Sequence, residues 1–405
     1  MSRHGHRSAR GVVPGPPSSS RCSSPFRMTA SKPRRSALPQ IVIGLVVGGL
    51  ALILALWGVP LTEIGEALTA LELPWLLPVA GVFLVQQTLR ALRQMVILRA
   101  RHPEHRFRTS LAVLCIGFFF VNTLPARLGE VVRPMLLAER ESIPLGAGFA
   151  MVVVERAVDL VAMGVMVSVL AWLVPAPEAL TEIAPGIDLV AFGRSMVGVG
   201  VPVVVLALLT LLFVGQRAVD LVARLTTGWS SGRVGAIRRT ALSFARHFVE
   251  GVEAVRQPGR LASILILTAT AWGITGFCYT SLAYGLGIED YVNYSAGMGL
   301  LGVTMLGMAL PAAPGFAGTY EAAVRAGLAL YGVVGSSPAT PGGPTLNAIA
   351  VAYALVMHWW MNLVQSATAI YFLVVDRVRP LEVVRRVFAG LDSPDTTAAD
   401  PNVSP

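Results

Sequence analysis

An apolar run ends at Asn122-Thr-Leu-Pro-Ala-Arg-Leu-Gly-Glu130, a segment that contains a proline, a glycine and two charges. Proline lacks a backbone donor and its ring clashes with the preceding turn, so a helix is expected to stop here. The segment Leu310-Pro-Ala-Ala-Pro-Gly-Phe-Ala-Gly318 interrupts a second apolar run in the same manner. Each break leads into a segment with a glutamate and an arginine three or four residues apart. We therefore predict two interrupted helices that carry polar groups at their breaks.

The composition requires a surface that faces lipid. Hydrophobic residues make up 54% of the 405 residues and charged residues only 14%, whereas a soluble domain carries about 25% charged residues. A helix of about 20 apolar residues crosses the hydrocarbon core of a bilayer. Six apolar stretches approach or exceed that length, at 41–59, 74–98, 145–174, 194–215, 261–286 and 345–375. The sequence therefore predicts an all-α integral membrane protein with about six full transmembrane helices.

The distribution of arginine assigns the two sides of the membrane, because basic residues concentrate in short cytoplasmic loops. The tail 1–37 and the linker 216–260 are basic, whereas the loop 175–193 is acidic. A full crossing at the first break would place the acidic loop inside and the basic linker outside. Both conflicts disappear if 110–138 enters the membrane and returns to the same side. A basic C-terminal tail on the inside then requires 294–334 to enter and leave from the outside face. We therefore predict two oppositely oriented re-entrant hairpins, an inverted-repeat-like arrangement with both termini cytoplasmic.

Three segments follow from this topology. Residues 1–37 are expected to form a disordered basic cytoplasmic tail, residues 38–378 the transmembrane domain, and residues 379–405 a second disordered cytoplasmic tail. Within the domain, 216–260 repeats apolar residues at helical spacing, which predicts an amphipathic Arg-rich helix on the inner leaflet. A linker helix packed on the bundle explains the pattern equally well. The expected location is the plasma (inner) membrane.

Several charged residues lie inside the predicted membrane segments. A charge at the bilayer centre costs about 2.5–3.5 kcal/mol on insertion scales, so such residues usually face the bundle interior and indicate function. Helix N-termini formed after the breaks would present free N–H groups, which bind phosphate, and arginines strengthen such a site. We therefore expect a polar pocket that suits an anionic lipid headgroup.

A structural explanation of the same charges stays open. Three pairs share a helix face at a spacing of three or four residues and could neutralise each other: Glu130 with Arg133, Arg156 with Asp159, and Glu321 with Arg325. For Arg90 and Arg93 we expect snorkelling to the inner interface. The lone His358 is expected to be a hydrogen-bonded packing residue.

Motifs of soluble catalysis are absent from the sequence. It contains no G-x-x-x-x-G-K-[ST], no H-E-x-x-H and no C-x-x-C. We expect no cofactor, no metal and no enzymatic activity of a soluble type. Nucleic acid is not an expected partner, because the arginines flank apolar spans.

Three motifs in order resemble the transmembrane region of lysylphosphatidylglycerol synthases, a family of flippase-like membrane proteins. They are Asn122–Arg133, Val154-Glu-Arg-Ala-Val-Asp159 and Leu310–Glu321. The chain departs from the family at Ala126 and Phe316, where a glycine is often found. The resemblance implies the lipid-handling membrane region without the soluble aminoacyl-transfer domain.

The resemblance also implies which residues line a lipid path. The charged candidates are Arg127, Glu130, Arg133, Glu155, Arg156, Asp159, Glu321 and Arg325. The break residues complete the candidate site: Asn122, Pro125, Gly129, Pro311, Pro314, Gly315 and Gly318.

The expected function is to bind or translocate a membrane lipid, an anionic phospholipid or a glycolipid. One alternative is a membrane-embedded transferase for lipid-linked glycans, with Glu130, Glu155 or Asp159 as base. Another is a scaffold for a separate lipid-modifying enzyme. The sequence leaves open the lipid, the energy source and whether the chain forms a homo-oligomer.

Overall fold

The computed structural model describes residues 38–124, 129–173, 195–229, 231–309, 312–338 and 343–392. Thirteen α-helices follow one another in these ranges, and no strand is formed there. They are α1 (Leu38–Leu56), α2 (Leu61–Thr69), α3 (Leu76–Leu98), α4 (Phe107–Thr123), α5 (Gly129–Glu141), α6 (Leu145–Leu173), α7 (Val201–Leu225), α8 (Gly232–Glu253), α9 (Pro258–Gly285), α10 (Tyr294–Ala309), α11 (Thr319–Leu330), α12 (Leu346–Val375) and α13 (Pro380–Asp392). The all-α fold is confirmed, whereas the predicted tail 1–37 lies outside the described residues.

Four helical stretches in the described ranges are long and apolar enough to cross a membrane. They are Leu73–Leu98, Gly198–Leu225, Pro258–Gly285 and Leu346–Val375. A fifth is obtained if α1 and α2, which are bent by 78° relative to each other, count as one broken span. Helix α6 has 29 residues but carries Glu155, Arg156 and Asp159. The chain is therefore a multi-pass membrane protein. Helix length and hydropathy alone identify four or five spans in the described ranges.

Helices α4 and α5 form an antiparallel hairpin, hairpin one. At its open end, His105 bonds to Glu141 at the end of α5. Near the turn, a Cβ on Gly129 would lie 2.1 Å from the backbone nitrogen of Val121, so only glycine fits there. The helices have 17 and 13 residues, which is about 25 and 20 Å at 1.5 Å per residue. Both are shorter than the hydrocarbon core of about 30 Å.

Helices α10 and α11, with 16 and 12 residues, form a second antiparallel hairpin, hairpin two. Its turn holds Gly315, Phe316 and Gly318 at φ values of 71°, 62° and 87°. Glycine adopts this left-handed region at no steric cost. For Phe316 the same conformation costs of order 1–3 kcal/mol, and it persists only because surrounding contacts hold it. Phe316, which stands where glycine is often found in the family that the sequence resembles, therefore lies at a position with positive φ.

Hairpin one opens at an end of the bundle that we call the basic end. Here Asp376, just after α12, pairs with Arg108 at 2.6 Å and with Arg140 at 2.8 Å. These two arginines belong to the start of α4 and the end of α5. One carboxylate thus ties both free ends of hairpin one to the last long helix.

Hairpin two opens at the opposite end of the bundle. There Thr345, before α12, donates a hydrogen bond to Glu63 of α2 at 2.7 Å. The Glu72 backbone N–H donates to the Gly285 carbonyl at the end of α9. Tyr291, before α10, lies against Gly332, after α11. The two hairpins therefore point toward each other from opposite ends.

The turns of the two hairpins meet inside the bundle. A Cβ on Gly315 would lie 3.4 Å from the Asn122 carbonyl oxygen. Two apolar cores surround the hairpins, one with Leu300 and Val324 of hairpin two and one with Val113 and Val132 of hairpin one. The polar breaks therefore lie between two apolar regions.

Two peripheral segments are helical. Residues Pro380–Asp392, within the segment expected to be disordered, form α13, because Val383 and Val387 pack into the core around hairpin one. Helix α8 of the linker packs against α6 and α7, as in the packed-linker alternative.

Candidate functional site

A cavity of about 350 Å³ lies where the two breaks meet. Asn122 reaches it from hairpin one, and Gly315 and Phe316 reach it from hairpin two. Its polar wall includes Gln86, Gln87, Arg90, Glu130, Arg156, Asp159, Thr275, His358, Asn362 and Gln365. Its apolar wall includes Phe83, Phe118, Met163, Trp272, Met305, Met308 and Met361. A polar pocket is thus combined with flexible apolar side chains that adapt to different shapes.

Hydrogen bonds between neutral side chains join the helices around the cavity. Gln86 of α3 donates to Thr275 of α9 at 2.7 Å. Asn122 of α4 donates to Asn362 of α12 at 2.6 Å, and Gln87 of α3 donates to Gln365 of α12. These bonds satisfy buried polar groups that would otherwise be costly in an apolar bundle.

The charges beside the cavity pair between helices. Arg133 of α5 donates to Glu155 of α6 at 2.6 Å, and Arg93 of α3 donates to Asp159 of α6 at 2.6 Å. Arg156 pairs with Glu130. The within-helix pairs considered from spacing, Glu130 with Arg133 and Arg156 with Asp159, are therefore replaced by pairs that join α3, α5 and α6.

Arg93 is 3% exposed, so it does not snorkel to the interface. Its carboxylate partner Asp159 also accepts a hydrogen bond from the Trp272 indole at 3.1 Å. Asp159 is thus held from α3 and α9 at once, and its oxygens are largely occupied. The expectation that Arg93 reaches the inner interface is wrong.

Arg90 differs from Arg93, Arg133 and Arg156 in having no carboxylate partner within salt-bridge distance among the described residues. Its guanidinium lies 4.9 Å from the centroid of the Trp272 ring and 5.5 Å from that of Phe118. Stacking on aromatic faces stabilises the cation and leaves the in-plane N–H donors free. Arg90 lines the cavity, so the expectation that it snorkels to the inner interface is also wrong.

The charges form a cluster with one cation in excess. We call it the charge cluster; it consists of Arg90, Arg93, Arg133, Arg156, Glu130, Glu155 and Asp159. Four arginines face three carboxylates. One oxygen of Glu130, Oε2, is buried without a hydrogen-bond partner in this part of the chain. The cavity therefore offers an uncompensated cation and a free carboxylate oxygen.

At hairpin two, Glu321 pairs with His358 and not with Arg325. The His358 Nδ1 lies 2.7 Å from Glu321 Oε1, and its Nε2 lies 2.7 Å from the Gly315 carbonyl. Arg325 instead donates to the carbonyls of Leu54, Ala55 and Trp57 at the end of α1. Carbonyls at a helix C-terminus lack the full set of amide partners, so Arg325 caps α1.

The candidate residues thus divide by position. Asn122, Glu130, Arg156, Asp159 and Gly315 line the cavity, while Arg133, Glu155 and Glu321 lie in the layer behind it. Gly129, Pro314 and Gly318 shape the hairpin turns. Pro125, Arg127 and Pro311 fall in stretches that the structure does not describe.

Sequence reasoning did not select Arg90 and His358 as site residues. A signal for Arg90 was present, since Gln86, Arg90, Arg93 and Gln94 recur at spacings of three, four and eight residues on α3. A polar stripe at helical spacing inside an apolar helix indicates a polar face toward the bundle interior. For His358 no such signal exists.

Comparison with known proteins identifies relatives of the chain. The sequence profile of the lysylphosphatidylglycerol synthase TM region matches residues 41–359. The chain is 27% identical over 352 residues to glycosyltransferase AglD of Haloferax volcanii, an alignment that covers 82% of this chain and 54% of AglD. The chain thus spans about half the length of that relative. No solved structure matches it. On the profile match, the chain belongs to the lysylphosphatidylglycerol synthase transmembrane region family.

Proposed function

We propose that the protein binds the anionic headgroup of a membrane lipid in the cavity and moves that lipid between leaflets. In this proposal α1, α3, α6, α7, α9 and α12 are the full spans, and hairpins one and two are re-entrant from opposite faces. The short helices of both hairpins support this, because neither reaches across a hydrocarbon core. Irregular backbone at membrane depth is tolerated where it lines a polar cavity, as both breaks do.

The observation that carries the proposal is the unpaired Arg90. Arg90 is half-buried and forms no ion pair within salt-bridge distance, which is unfavourable for a cation in an apolar bundle, so the cavity gains from an anion that enters it. Guanidinium donors match the oxygens of a phosphate in a bidentate manner. The single excess positive charge of the charge cluster matches a phosphodiester with one negative charge.

Polar side chains continue from the cavity toward the basic end. On α3 these are Arg93 and Gln94, and Gln94 accepts a hydrogen bond from Arg133 at 2.5 Å. Both side chains are buried, so in the proposal a headgroup that moves this way must take the place of their present partners. In the proposal the basic end faces the cytoplasm, which places both termini there, in agreement with the positive-inside rule.

The test uses purified protein in phosphatidylcholine vesicles. The vesicles carry the same fluorescent label on phosphatidylglycerol, phosphatidylcholine or a polyprenyl phosphate, and the exchange of label between leaflets is measured. We expect faster exchange of an anionic lipid than of phosphatidylcholine. Because a hydrogen bond to a charged group contributes about 1.5–3 kcal/mol, Arg90→Gln should slow this exchange about tenfold or more.

The matched control is Arg385→Gln, which removes an exposed arginine on α13. It should leave the exchange rate unchanged. The proposal fails if the wild type accelerates none of the three lipids, or if Arg90→Gln exchanges the anionic lipid as fast as the wild type.

A second candidate is a membrane-embedded transferase acting on a lipid-linked glycan, favoured by the name of the relative AglD and by the free Oε2 of Glu130. Glu130 could act as the base, whereas Asp159 is already bound by Arg93 and Trp272. Transfer of sugar from a lipid-linked donor by the wild type, lost in Glu130→Gln, would favour this function over transport.

A further inference from the structure

His358 lies in the wall between the cavity and the break of hairpin two, with both ring nitrogens in hydrogen bonds. One bond, from Nδ1, joins Glu321 of α11; the other, from Nε2, joins the Gly315 carbonyl in the break. The side chains of His358 and Glu321 are 5% and 3% exposed. The imidazole also stacks on Tyr320 at 4.3 Å between ring centroids. The ring is therefore fixed in one orientation.

The partners determine where the protons are. A backbone carbonyl only accepts hydrogen bonds, so Nε2 must carry a proton and donate it to Gly315. The second oxygen of Glu321 accepts the Gly318 N–H at 2.7 Å. One further proton must then lie between Nδ1 and Oε1, on one atom or the other. With this proton bound, the pair of side chains is neutral as a whole.

Loss of that proton cannot be accommodated in the same geometry. The proton would pass to water in the cavity, and its electron pair would stay on Nδ1 or on Oε1. A neutral imidazole has one N–H, so one ring nitrogen would then face an oxygen with lone pair against lone pair. The pair would also carry a net negative charge in a buried site. One of the two hydrogen bonds of the His358 ring must therefore open.

We propose that His358 and Glu321 form a proton-binding site that latches the break of hairpin two. The bound proton keeps Gly315 against the first break, where it lies next to the Asn122 carbonyl. Its release breaks the chain of contacts from Glu321 through His358 to Gly315, so the break is no longer held to α11 and α12 together. The site thus couples proton uptake to the contact between the hairpins. A proton gradient could then drive the lipid movement of the proposed function, although the latch itself does not depend on that function.

The other titratable or charged groups described near His358 and Glu321 do not pair with either side chain, so the proton is exchanged by these two side chains. Tyr279 of α9 has its hydroxyl 3.3 Å from that of Tyr320, and the Tyr353 hydroxyl of α12 donates to the Tyr279 carbonyl. Helices α3, α5 and α6 contribute Arg90, Glu130, Arg156 and Asp159 to the same cavity. In the described ranges, none of these groups forms an ion pair with His358 or Glu321. Asn122 of α4 is uncharged, and α10 has no charged residue.

The first measurement is nuclear magnetic resonance of the full chain in nanodiscs, with ¹⁵N-labelled histidine. The chain has six histidines, and the spectrum of His358→Gln identifies the signals of His358. We expect these signals to change between the low-pH and high-pH ends of the range in which the protein stays folded, because the ring loses one of its two hydrogen bonds with the proton. No lipid substrate is needed, so a failed lipid-exchange assay would leave this result standing.

The second measurement reports on the break itself. Phe316→Cys is introduced after Cys22, Cys115 and Cys278 are replaced by alanine, and its alkylation rate is followed over the same pH range. The rate should rise several-fold more with pH in this background than when Glu321→Gln is added, since a neutral amide cannot release the proton. The ratio of the two rates cancels the titration of the thiol itself.

Glu250→Gln, the same chemical change on α8, is the matched control and should keep the full pH response. The proposal is overturned if the His358 signals stay constant over the whole pH range in which the protein stays folded. It is also overturned if the alkylation rates with and without Glu321→Gln keep a constant ratio.

Discussion

At the scale of single residues, the charges in the membrane segments have different tasks. Arg133 and Glu155 have side chains 1% and 4% exposed and contact each other behind the cavity. Arg90 lines the cavity and has aromatic rings as its neighbours. Of these three side chains, only Arg90 both lines the cavity and lacks an ion pair, so only Arg90 can contact a ligand there without losing a carboxylate partner. Burial alone therefore does not distinguish a binding residue from a structural one; the partner does.

The buried pair gives a prediction about stability. Glu155→Leu leaves the Arg133 cation without its carboxylate and should destabilise the protein by about 3–5 kcal/mol. The double variant Arg133→Met with Glu155→Leu removes both charges and should recover most of that loss. Thermal unfolding can be followed by a thiol-reactive dye, because Cys115 and Cys278 are buried and free.

A double variant as unstable as the single one would contradict the assignment of the loss to the unpaired Arg133 cation. Arg325→Met is a comparison variant. Arg325 caps α1 through backbone carbonyls, so its removal leaves no carboxylate without a partner.

At the scale of helices, the hairpins depend on close approach of backbones. In hairpin one, α5 begins at Gly129, which packs directly on Val121 of α4. Because α4 and α5 approach this closely, the break between them and the N-terminus of α5 both lie beside the cavity. Gly129 is therefore required by the close packing at the turn of hairpin one.

Gly129→Ala tests this packing requirement. The added Cβ meets backbone and not a flexible side chain, so α4 and α5 must separate, at a cost of about 1–3 kcal/mol. Gly81→Ala on α3 is the matched control, because nothing lies within 4 Å of its Cβ position. Alanine is the better helix former by about 1 kcal/mol, so the control should be neutral or stabilising. Equal melting temperatures for the two variants would contradict the close contact.

At the scale of the whole molecule, the two hairpins have opposite orientations. Hairpin one opens at the basic end with Asp376, and hairpin two opens at the end with Glu63 and Thr345. Because the turns meet between the ends, a ligand in the cavity contacts elements anchored on both sides. This arrangement suits a site that communicates with either face in turn.

Single cysteines test this orientation in cells. In a chain whose native cysteines are replaced, Ser142→Cys lies between α5 and α6, and Ser336→Cys lies after α11. We expect a membrane-impermeant maleimide to label the Ser336→Cys variant from outside, and the Ser142→Cys variant only after the membrane is permeabilised. Labelling of both variants from one side would show that at least one hairpin crosses the membrane completely.

The sequence by itself determined the class of the fold and the positions of its interruptions. Low charge and apolar runs of about 20 residues predict a membrane helix bundle, because a helix of that length crosses the hydrocarbon core and satisfies its own backbone groups. Proline and glycine act on their own neighbours, so the breaks at 122–130 and 310–318 could be located without the tertiary structure.

Only the tertiary structure decided which charged side chains pair with each other. A helix with apolar residues all round carries no periodic signal for its rotation, so spacing along α6 could not show that Glu155 faces α5 while Asp159 faces α3. On α3 the polar stripe indicates the face toward the bundle interior, but it does not show that Arg93 meets Asp159 of α6 while Arg90 does not. Contacts between helices depend on their rotation and depth in the bundle, and those are set by packing of the whole chain.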